Sequence, residues 1–368
     1  MRNTLLSRKE RSEGKLRDLF KFGNVTTSIL RDPGEEVYEY LSNHINIENE
    51  RTMVMMTKTS FNIDALSDNY FDTLVNFARI NDIPRINRFF HSINQKLPLN
   101  GVFVGCTETK GDRKKRILKK YPPVISHCYY CFDFIFKRIF PKLPITKTIY
   151  FKITEGRNRV LSWTETLGRL YSCGFSIVDE QKINGKMYFV VKKVDEPAID
   201  DEPSYGPICK MKRFGQYGKV INVYKFRTMH PFSEYLQQYI YDKNSLREGG
   251  KFNDDFRIST VGRFMRKYWI DELPMIANLI KGDIKLVGVR PLSKQYLGLY
   301  SSELREKRLN HKPGLIPPFY ADMPKTLEEI MRSELNYLER YEKNPFITDF
   351  TYFFKSLTQI LIKKARSN

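Results

Sequence analysis

Residues 268–283 read YWIDELPMIANLIKGD, and this stretch decides how the C-terminal part of the chain folds. Asp271 and Glu272 precede Pro274 and an apolar run. This order predicts a helix that begins at the carboxylates, because aspartate is a common N-cap and proline is accepted in a first turn. The free amides and the dipole at that helix end favour negative charge, so the pair would stay ionised and could act as a nucleophile or a metal ligand. The alternative is plain capping by Asp271, with Glu272 as a solvated first-turn charge.

Arginines flank this stretch on both sides, in short motifs with regular order. They are Arg227 in YKFRTM, Arg257 in DDFRIST, Arg263 and Arg266 in VGRFMRK, and Arg290 in LVGVRP. Guanidinium groups bind phosphate through two parallel hydrogen bonds, so such a cluster suits a diphosphate, although each arginine alone could be an ordinary surface residue. Gly288 would let the backbone approach a ligand, and Pro291 would stiffen the loop. An anionic nucleophile, a cationic clamp and a divalent metal together favour phosphoryl transfer.

The motifs KFRTM, DDFRISTVGRFMRKYWIDELP and NLIKGDIKLVGVRPL occur in an order that resembles the bacterial sugar transferases. These are the monotopic phosphoglycosyl transferases, which begin glycan assembly on a polyprenyl phosphate carrier. HKPGL and ELNYLERYEKNPFITDFTYF resemble the later segments of the same family. The resemblance covers about residues 205–365 and implies an α+β domain that corresponds to the soluble core of such an enzyme.

The resemblance implies a ping-pong transfer of a sugar 1-phosphate from a UDP-sugar to polyprenyl (undecaprenyl) phosphate. This is the first step in the assembly of capsule, exopolysaccharide or O-antigen lipopolysaccharide. Asp271 corresponds to the nucleophile, which forms an aspartyl-phosphosugar and shares Mg²⁺ with the diphosphate, and Glu272 corresponds to its partner carboxylate. The implied substrate-binding residues are Lys225, Arg227, Arg257, Arg263, Arg266, Gly288, Arg290 and Pro291. Arg263 and Arg266 could instead serve structure or membrane contact.

Three features depart from the family pattern. Residues 194–205 read VDEPAIDDEPSY, where family members have an apolar re-entrant membrane hairpin. Val289 replaces a proline in LVGVRP, and PGLIPP replaces the family's Pro-Gly-Leu-Thr-Gly. The missing hairpin leaves open how the lipid acceptor is reached, and the two loop changes leave open the specificity. The missing hairpin supports an alternative, a non-catalytic transferase-like adaptor that binds a nucleotide-sugar or a membrane transferase as its partner. The intact Asp271-Glu272 pair and the retained arginines argue against this alternative.

The preceding part of the chain predicts an α/β domain. Apolar residues from Ile86 to Leu97 form a helical stripe, GVFVGC predicts a buried strand, and Ser162 with Glu165 predicts a capped helix. FSIVDE and KMYFVVKK, joined at Asn184-Gly185, predict a hairpin. This order resembles the last half of a class I methyltransferase fold. Because no glycine-rich loop is present to hold S-adenosylmethionine, we expect a degenerate, non-catalytic Rossmann-like domain.

The predicted boundaries are a basic leader at 1–50, the methyltransferase-like domain at 51–195, a linker at 196–204 and the sugar transferase domain at 205–368. The net charge of +20 attracts polyanions. No zinc finger or RNA-binding signature is present, so nucleic acid is not an expected partner. His127, Cys128 and Cys131 lack a second ligand pair for zinc, which predicts a buried cysteine pair.

The sequence also predicts where the chain resides. It contains no signal-peptide pattern and no run of roughly 18 apolar residues, so we expect a cytoplasmic protein bound peripherally to the inner face of the bacterial membrane. Two segments could lie in the interface. One is the apolar helical face of Phe350, Phe353, Phe354, Leu357, Ile360 and Leu361, and the other is CYYCFDFIFKRIFPKL at 128–143. The alternative for each is a helix that packs on a core, which is the commoner use of such stripes.

Overall fold

The computed structural model describes residues 29–198, 205–244 and 255–362. These residues form two compact units. The first contains the described residues up to 198 together with Pro231–Gln237, and the second contains those of Ser204–His230 and Gln238–Asn368. Residues 1–28 of the predicted leader and residues 199–204 of the predicted linker lie outside the described residues.

A mixed five-stranded sheet forms the centre of the first unit. Its strands are β1 (Thr52–Met55), β2 (Thr73–Arg79), β3 (Val102–Thr107), β4 (Phe175–Ile183) and β5 (Lys186–Lys193). The spatial order is β1-β2-β3-β5-β4, in which β1 to β3 are parallel and β5 is antiparallel to both of its neighbours. Asn184 and Gly185 turn the predicted hairpin with φ values of 47° and 74°. The mixed α/β class predicted for this part is therefore confirmed.

Helices cover both faces of this sheet. They are α1 (Glu35–Ser42), α2 (Phe61–Asp64), α3 (Ile86–Lys96), α4 (Lys110–Lys120), α5 (Pro123–Phe134), α6 (Pro144–Thr154) and α7 (Trp163–Ser172). Short turns of other helix types also occur, at Ile80–Asp82, Ile135–Ile139 and Phe140–Lys142. The predicted stripe of α3 is buried against the sheet, and the Ser162 side chain accepts a hydrogen bond from the Glu165 amide, at 3.1 Å, to begin α7. Both helix predictions are confirmed.

Two predictions about this unit were wrong. Residues 29–47 are part of the core, because Ile29, Val37 and Leu41 pack with strand residues such as Val75 and Val104. Polar and basic residues dominate the predicted leader, so its sequence pattern did not indicate that these few apolar residues are buried. The two cysteines of α5 are exposed, not buried. The buried side of α5 is determined instead by an ion pair, in which the Arg113 guanidinium binds the carboxylate of Asp133 at 2.7 and 2.8 Å.

One segment of the first unit comes from far along the chain. Pro231–Gln237 contains a 3-10 turn at Ser233–Leu236 and packs on α7. The Arg169 guanidinium lies 4.2 Å from the centre of the Phe232 ring. A methyl group at Gly168 would lie 2.3 Å from the Phe232 carbonyl oxygen, so only glycine permits this approach. This segment falls within the predicted sugar transferase domain.

The second unit is built from two small strand pairs and several helices. Antiparallel β6 (Ile208–Phe214) and β7 (Val220–Phe226) form one pair, and parallel β8 (Lys285–Val287) and β9 (Gly314–Ile316) form the other. The helices are α8 (Gln237–Asn244), α9 (Thr260–Lys267), α10 (Ile276–Ile280), α11 (Lys294–Leu297), α12 (Ser302–Leu309), α13 (Phe319–Asp322), α14 (Leu327–Lys343) and α15 (Pro345–Ile362), with 3-10 turns at Gln216–Gly218 and Ile270–Met275. The predicted α+β class is confirmed.

The apolar residues of the last helix, α15, are divided between the core and the surface, whereas the sequence predicted a single apolar face. Tyr352 is buried and Phe353 packs partly against the core of the second unit. Phe346 and Phe350 are 92% and 64% exposed, and Phe354 is also exposed. The Leu361 side chain lies outside the described residues. In the described ranges, no helix combines the length and the apolar character that crossing a membrane requires.

Candidate functional site

The carboxylate pair lies in the 3-10 turn Ile270–Met275, just before α10. Trp269 precedes the turn in the left-handed region, with φ at 60°, so Asp271 lies inside the turn and is not the N-cap that the sequence predicted. Pro274 fits the turn because it has no amide hydrogen to satisfy. Asp271 and Glu272 are only 6% and 7% exposed. A buried pair of acids is costly unless cations or hydrogen bonds compensate it.

Burial raises the pKa of Asp271, and the adjacent charge of Glu272 raises it further. The positive charges of Lys225 and Arg266 oppose this effect. The expected stabilisation of the ionised form by a helix terminus is therefore outweighed by desolvation. Within the described structure, Oδ1 of Asp271 is buried and has no hydrogen-bond partner. Asp271 thus carries an unsatisfied oxygen, ready for a ligand.

Lys225, at the end of β7, neutralises the second carboxylate. Its Nζ atom lies 2.5 Å from Oε1 of Glu272. Burial lowers the pKa of Lys225 and the charge of Arg290 lowers it too, whereas Glu272 and Asp271 raise it. Residues 47 positions apart therefore meet in one site. Glu272 is committed to this ion pair, whereas Oδ1 of Asp271 has no hydrogen-bond partner in the described part of the chain.

Helix α9 brings Arg266 to the site through a close backbone contact. A methyl group at Gly262 would lie 1.9 Å from the carbonyl oxygen of Thr228, so α9 can pack against the end of the β7 segment only with glycine there. Nε of Arg266 donates to Oγ1 of Thr228 at 3.0 Å. Burial lowers the pKa of Arg266, the charges of Asp271 and Asp255 raise it, and those of Arg257 and Arg290 lower it. Arg266 therefore lies within electrostatic range of both Asp271 and the Asp255–Arg257 pair.

Three of the predicted arginines have other surroundings. Arg257 is buried and binds Asp255 through two donors, with Nε–Oδ1 at 2.9 Å and Nη2–Oδ2 at 2.7 Å. Nε of Arg227 donates to the carbonyl of Gly206 at 2.9 Å. Arg263 is exposed on α9 and forms no ion pair within the described ranges. The structure thus brings Lys225 and Arg266 to the carboxylates, places Arg290 within electrostatic range of both cations and leaves Arg263 apart.

A buried ion pair supports the loop that carries Arg290. Arg308 on α12 pairs with Glu334 on α14, and its Nη2 donates to the carbonyl of Arg290 at 2.6 Å. Pro291 follows and is buried. Gly288 packs closely against the backbone of Gly314, since a methyl group at Gly314 would lie 2.1 Å from the amide nitrogen of Gly288. The role of Gly288 in ligand approach stays a prediction.

Three residues that support the site were missed in the sequence. Thr228 binds Arg266, Arg308 supports the Arg290 loop, and Asn278 joins α10 to β7. Asn278 is fully buried, accepts a hydrogen bond from the Tyr224 amide at 3.0 Å and donates to the Asn222 carbonyl at 2.7 Å. A lone asparagine inside the apolar run MIANLI was a usable signal, because a buried amide needs partners. No pattern of neighbouring residues in the sequence indicated the role of Arg308.

The donor set fits a magnesium ion shared with a phosphate ligand. Mg²⁺ in such sites takes one or two carboxylates and completes its shell with phosphate oxygens and water. The unpartnered Oδ1 of Asp271 is one suitable oxygen. No group of three or more His, Cys, Asp or Glu side chains suited to hold a metal occurs in the described parts of the chain.

Comparison with known proteins agrees with this chemistry. Residues 198–363 match the family described as Bacterial sugar transferase, so the resemblance predicted from the sequence is confirmed. An uncharacterized sugar transferase, EpsL, of Bacillus subtilis is 41% identical over 106 residues, which cover 29% of this chain and 46% of the relative. The undecaprenyl-phosphate galactose phosphotransferase of Salmonella typhimurium is 36% identical over 109 residues, 28% of this chain and 23% of the relative. The chain thus spans less than half the length of these two relatives.

The first unit has a weaker likeness among solved structures. A putative S-adenosylmethionine-dependent methyltransferase from Listeria monocytogenes covers 43% of this chain and 96% of its own, at 10% identity and a TM-score of 0.30.

Proposed function

We propose, from the match of residues 198–363 to the bacterial sugar transferases, that the chain transfers a sugar 1-phosphate from a UDP-sugar to polyprenyl phosphate. The observation that carries the proposal is the buried Asp271 with an unpartnered oxygen, under the positive charges of Lys225 and Arg266. The Salmonella relative acts on undecaprenyl phosphate by its name. The product would start the assembly of a surface glycan.

The reaction has two displacements at one phosphorus. An oxygen of Asp271 attacks the β-phosphorus of the UDP-sugar, the bond to the bridging oxygen breaks, and UMP leaves with both electrons of that bond. An oxygen of polyprenyl phosphate then attacks the same phosphorus, and the Asp271 carboxylate leaves. Lys225, Arg266 and Arg290 offset the phosphate charge in both steps. Glu272 holds Lys225 in place, which favours an orienting role for this acid.

Magnesium would be held by Asp271 and the diphosphate. When bound, it supplies positive charge that reduces repulsion between the carboxylate and the phosphate oxygens. Polyprenyl phosphate resides in a bilayer, so the chain would work as a peripheral protein at the inner face of the bacterial membrane. The exposed Phe346 and Phe350 of α15 support this location for the second unit.

The test is release of UMP from a panel of UDP-sugars, measured with Mg²⁺ and with or without undecaprenyl phosphate. We expect one donor to give release that the lipid acceptor makes catalytic. Binding of a UDP-sugar without any release would contradict the proposal. It would favour the adaptor alternative, in which the domain binds a nucleotide-sugar or a partner transferase.

A second prediction concerns the acid limb of the pH–rate profile, which is the fall in the rate of UMP release at low pH. The first displacement needs ionised Asp271, so its rate falls as the pH falls through the raised pKa of this carboxyl. Lys225→Met removes a charge that lowers this pKa and frees Glu272, which raises it. We therefore expect the acid limb of UMP release to move to higher pH. Lys219→Met, an exposed lysine of the β6–β7 turn, is the matched control. An unmoved limb would show that Lys225 does not act on Asp271.

A further inference from the structure

The three consecutive helices α4, α5 and α6 of the first unit present an unusual surface, which we call the helical face (residues 110–154). Nine of its large apolar side chains are exposed. They are Val124, Ile125, Tyr129, Phe132, Ile135, Ile139, Ile145, Ile149 and Ile153. The most exposed among them are Ile145 at 82% and Val124 at 77%. Exposed apolar patches of this kind mark interaction sites.

The apolar residues follow helical spacing. Ile145, Ile149 and Ile153 repeat every four residues along α6, which places them on one side of that helix. The opposite side is buried, where Tyr150 meets the Phe136 ring with centres 5.5 Å apart. The helices are thus anchored through one side and leave their other apolar side uncovered within the described structure.

Charge decides what this surface would bind. Residues 110–154 contain twelve lysines and arginines and two carboxylates. Both carboxylates are buried, because Asp133 is paired with Arg113 and Asp112 with Lys182. Exposed cations include Lys114, Lys115, Lys119, Lys120, Lys147 and Lys152. The exposed part of the helical face is therefore apolar and cationic, without a single accessible carboxylate.

We propose that the helical face binds the surface of an anionic lipid bilayer. Apolar side chains that enter the interface, with lysines at the headgroups, are the two components of interfacial binding. A nucleic acid would leave the isoleucines in water, and α5, with only 12 residues, is too short to span a bilayer. The inference rests on the proposed function, because the lipid acceptor of the proposed transfer resides in a membrane. It places a membrane-binding surface in the first unit, outside the segment that matches the transferases.

The experiment is cosedimentation of the full chain with two kinds of vesicles, phosphatidylcholine alone and an equal mixture of phosphatidylcholine and phosphatidylglycerol. Phe132→Ser with Ile145→Ser should lower binding to the mixed vesicles by about 10- to 100-fold, because two exposed side chains that would enter the interface are lost. Met56→Ser with Phe61→Ser is the matched control, since both residues are at least 70% exposed in the same unit but outside the helical face.

A charge variant separates the two components of binding. Lys147→Glu with Lys152→Glu should weaken binding to the mixed vesicles and reduce its dependence on salt. Binding of both double variants at the level of the unchanged chain would overturn the inference. Loss of self-association in place of loss of vesicle binding would also overturn it, in favour of a second copy as the occupant.

UMP release without vesicles separates this inference from the proposed function. Release that stays normal in variants that no longer bind vesicles supports both. Absence of release in every protein, with vesicle binding still lost in the variants, overturns the proposed function and leaves the lipid surface standing.

Discussion

Replacement of Asp271 with asparagine will abolish UMP release, with a fall in rate of roughly a thousandfold or more. The amide cannot act as a nucleophile towards phosphorus, and Glu272 cannot replace it because Lys225 holds that carboxylate at 2.5 Å. The measurement is UMP release with the donor that serves the unchanged chain. Donor binding should persist, since Lys225, Arg266 and Arg290 remain.

The same substitution should not reduce stability. The pKa of Asp271 in the folded chain lies above its ordinary value, so the folded state binds the proton more tightly than the unfolded state does. Stability is therefore lost as the pH rises through the window between the two pKa values, and the loss persists at neutral pH. Asparagine carries no charge and removes this penalty. We expect an unfolding temperature equal to or above that of the unchanged chain at pH 7.

Glu303→Gln is a matched control, because it neutralises an exposed carboxylate of α12 in the same unit. It should leave both UMP release and the unfolding temperature unchanged. Full activity of a folded Asp271→Asn chain would remove Asp271 from the mechanism. A large loss of stability would show instead that the carboxylate holds the fold together.

Glu334→Ala should produce the largest loss of stability, about 3–5 kcal/mol, because it leaves Arg308 buried without its carboxylate. Arg308 and Glu334 are 5% and 1% exposed, so water cannot replace the lost partner. Arg308 also donates to the carbonyl of Arg290, and its displacement should weaken donor binding as well. A change at Glu334 should therefore weaken donor binding although Glu334 is not among the residues proposed to bind the donor.

The chain allows a clean measurement of this effect. Its two tryptophans are Trp163 in the first unit and Trp269 in the second, so a Trp163→Phe background leaves one fluorescent reporter for the second unit during urea unfolding. Glu339→Ala, at an exposed position on the same helix, should cost only a few tenths of a kcal/mol. The double variant Arg308→Met with Glu334→Leu should recover most of the loss. No recovery would mean that size, and not charge, dominates at this position.

The sequence predicted what local patterns determine. The stripe of α3, the cap at Ser162 and the hairpin at Asn184-Gly185 depend on neighbouring residues, and each is confirmed. The motif order around Asp271 identified the family match of the C-terminal part. The roles of the predicted site residues and of magnesium stay predictions.

Long-range contacts account for what the sequence did not predict. The pairing of Lys225 with Glu272 and the support of Arg290 by Arg308 join residues that no periodicity connects. The raised pKa of Asp271 depends on burial, which follows from tertiary packing and not from the position of a carboxylate in a turn. The exposed cysteines of α5 have the same cause, since a distant arginine determines which side of that helix is buried.

The contact between Phe232 and α7 has a consequence for how the gene can recombine. A crossover in the stretch that encodes residues 196–204 would join the upstream part of one lineage to the downstream part of another, and α7 would then receive a foreign Pro231–Gln237. The carbonyl that contacts Gly168 and the ring that contacts Arg169 both belong to Phe232, which would come from the other parent. Upstream and downstream parts would therefore have to change together, and hybrids that join unmatched parents there should be rare among descendants.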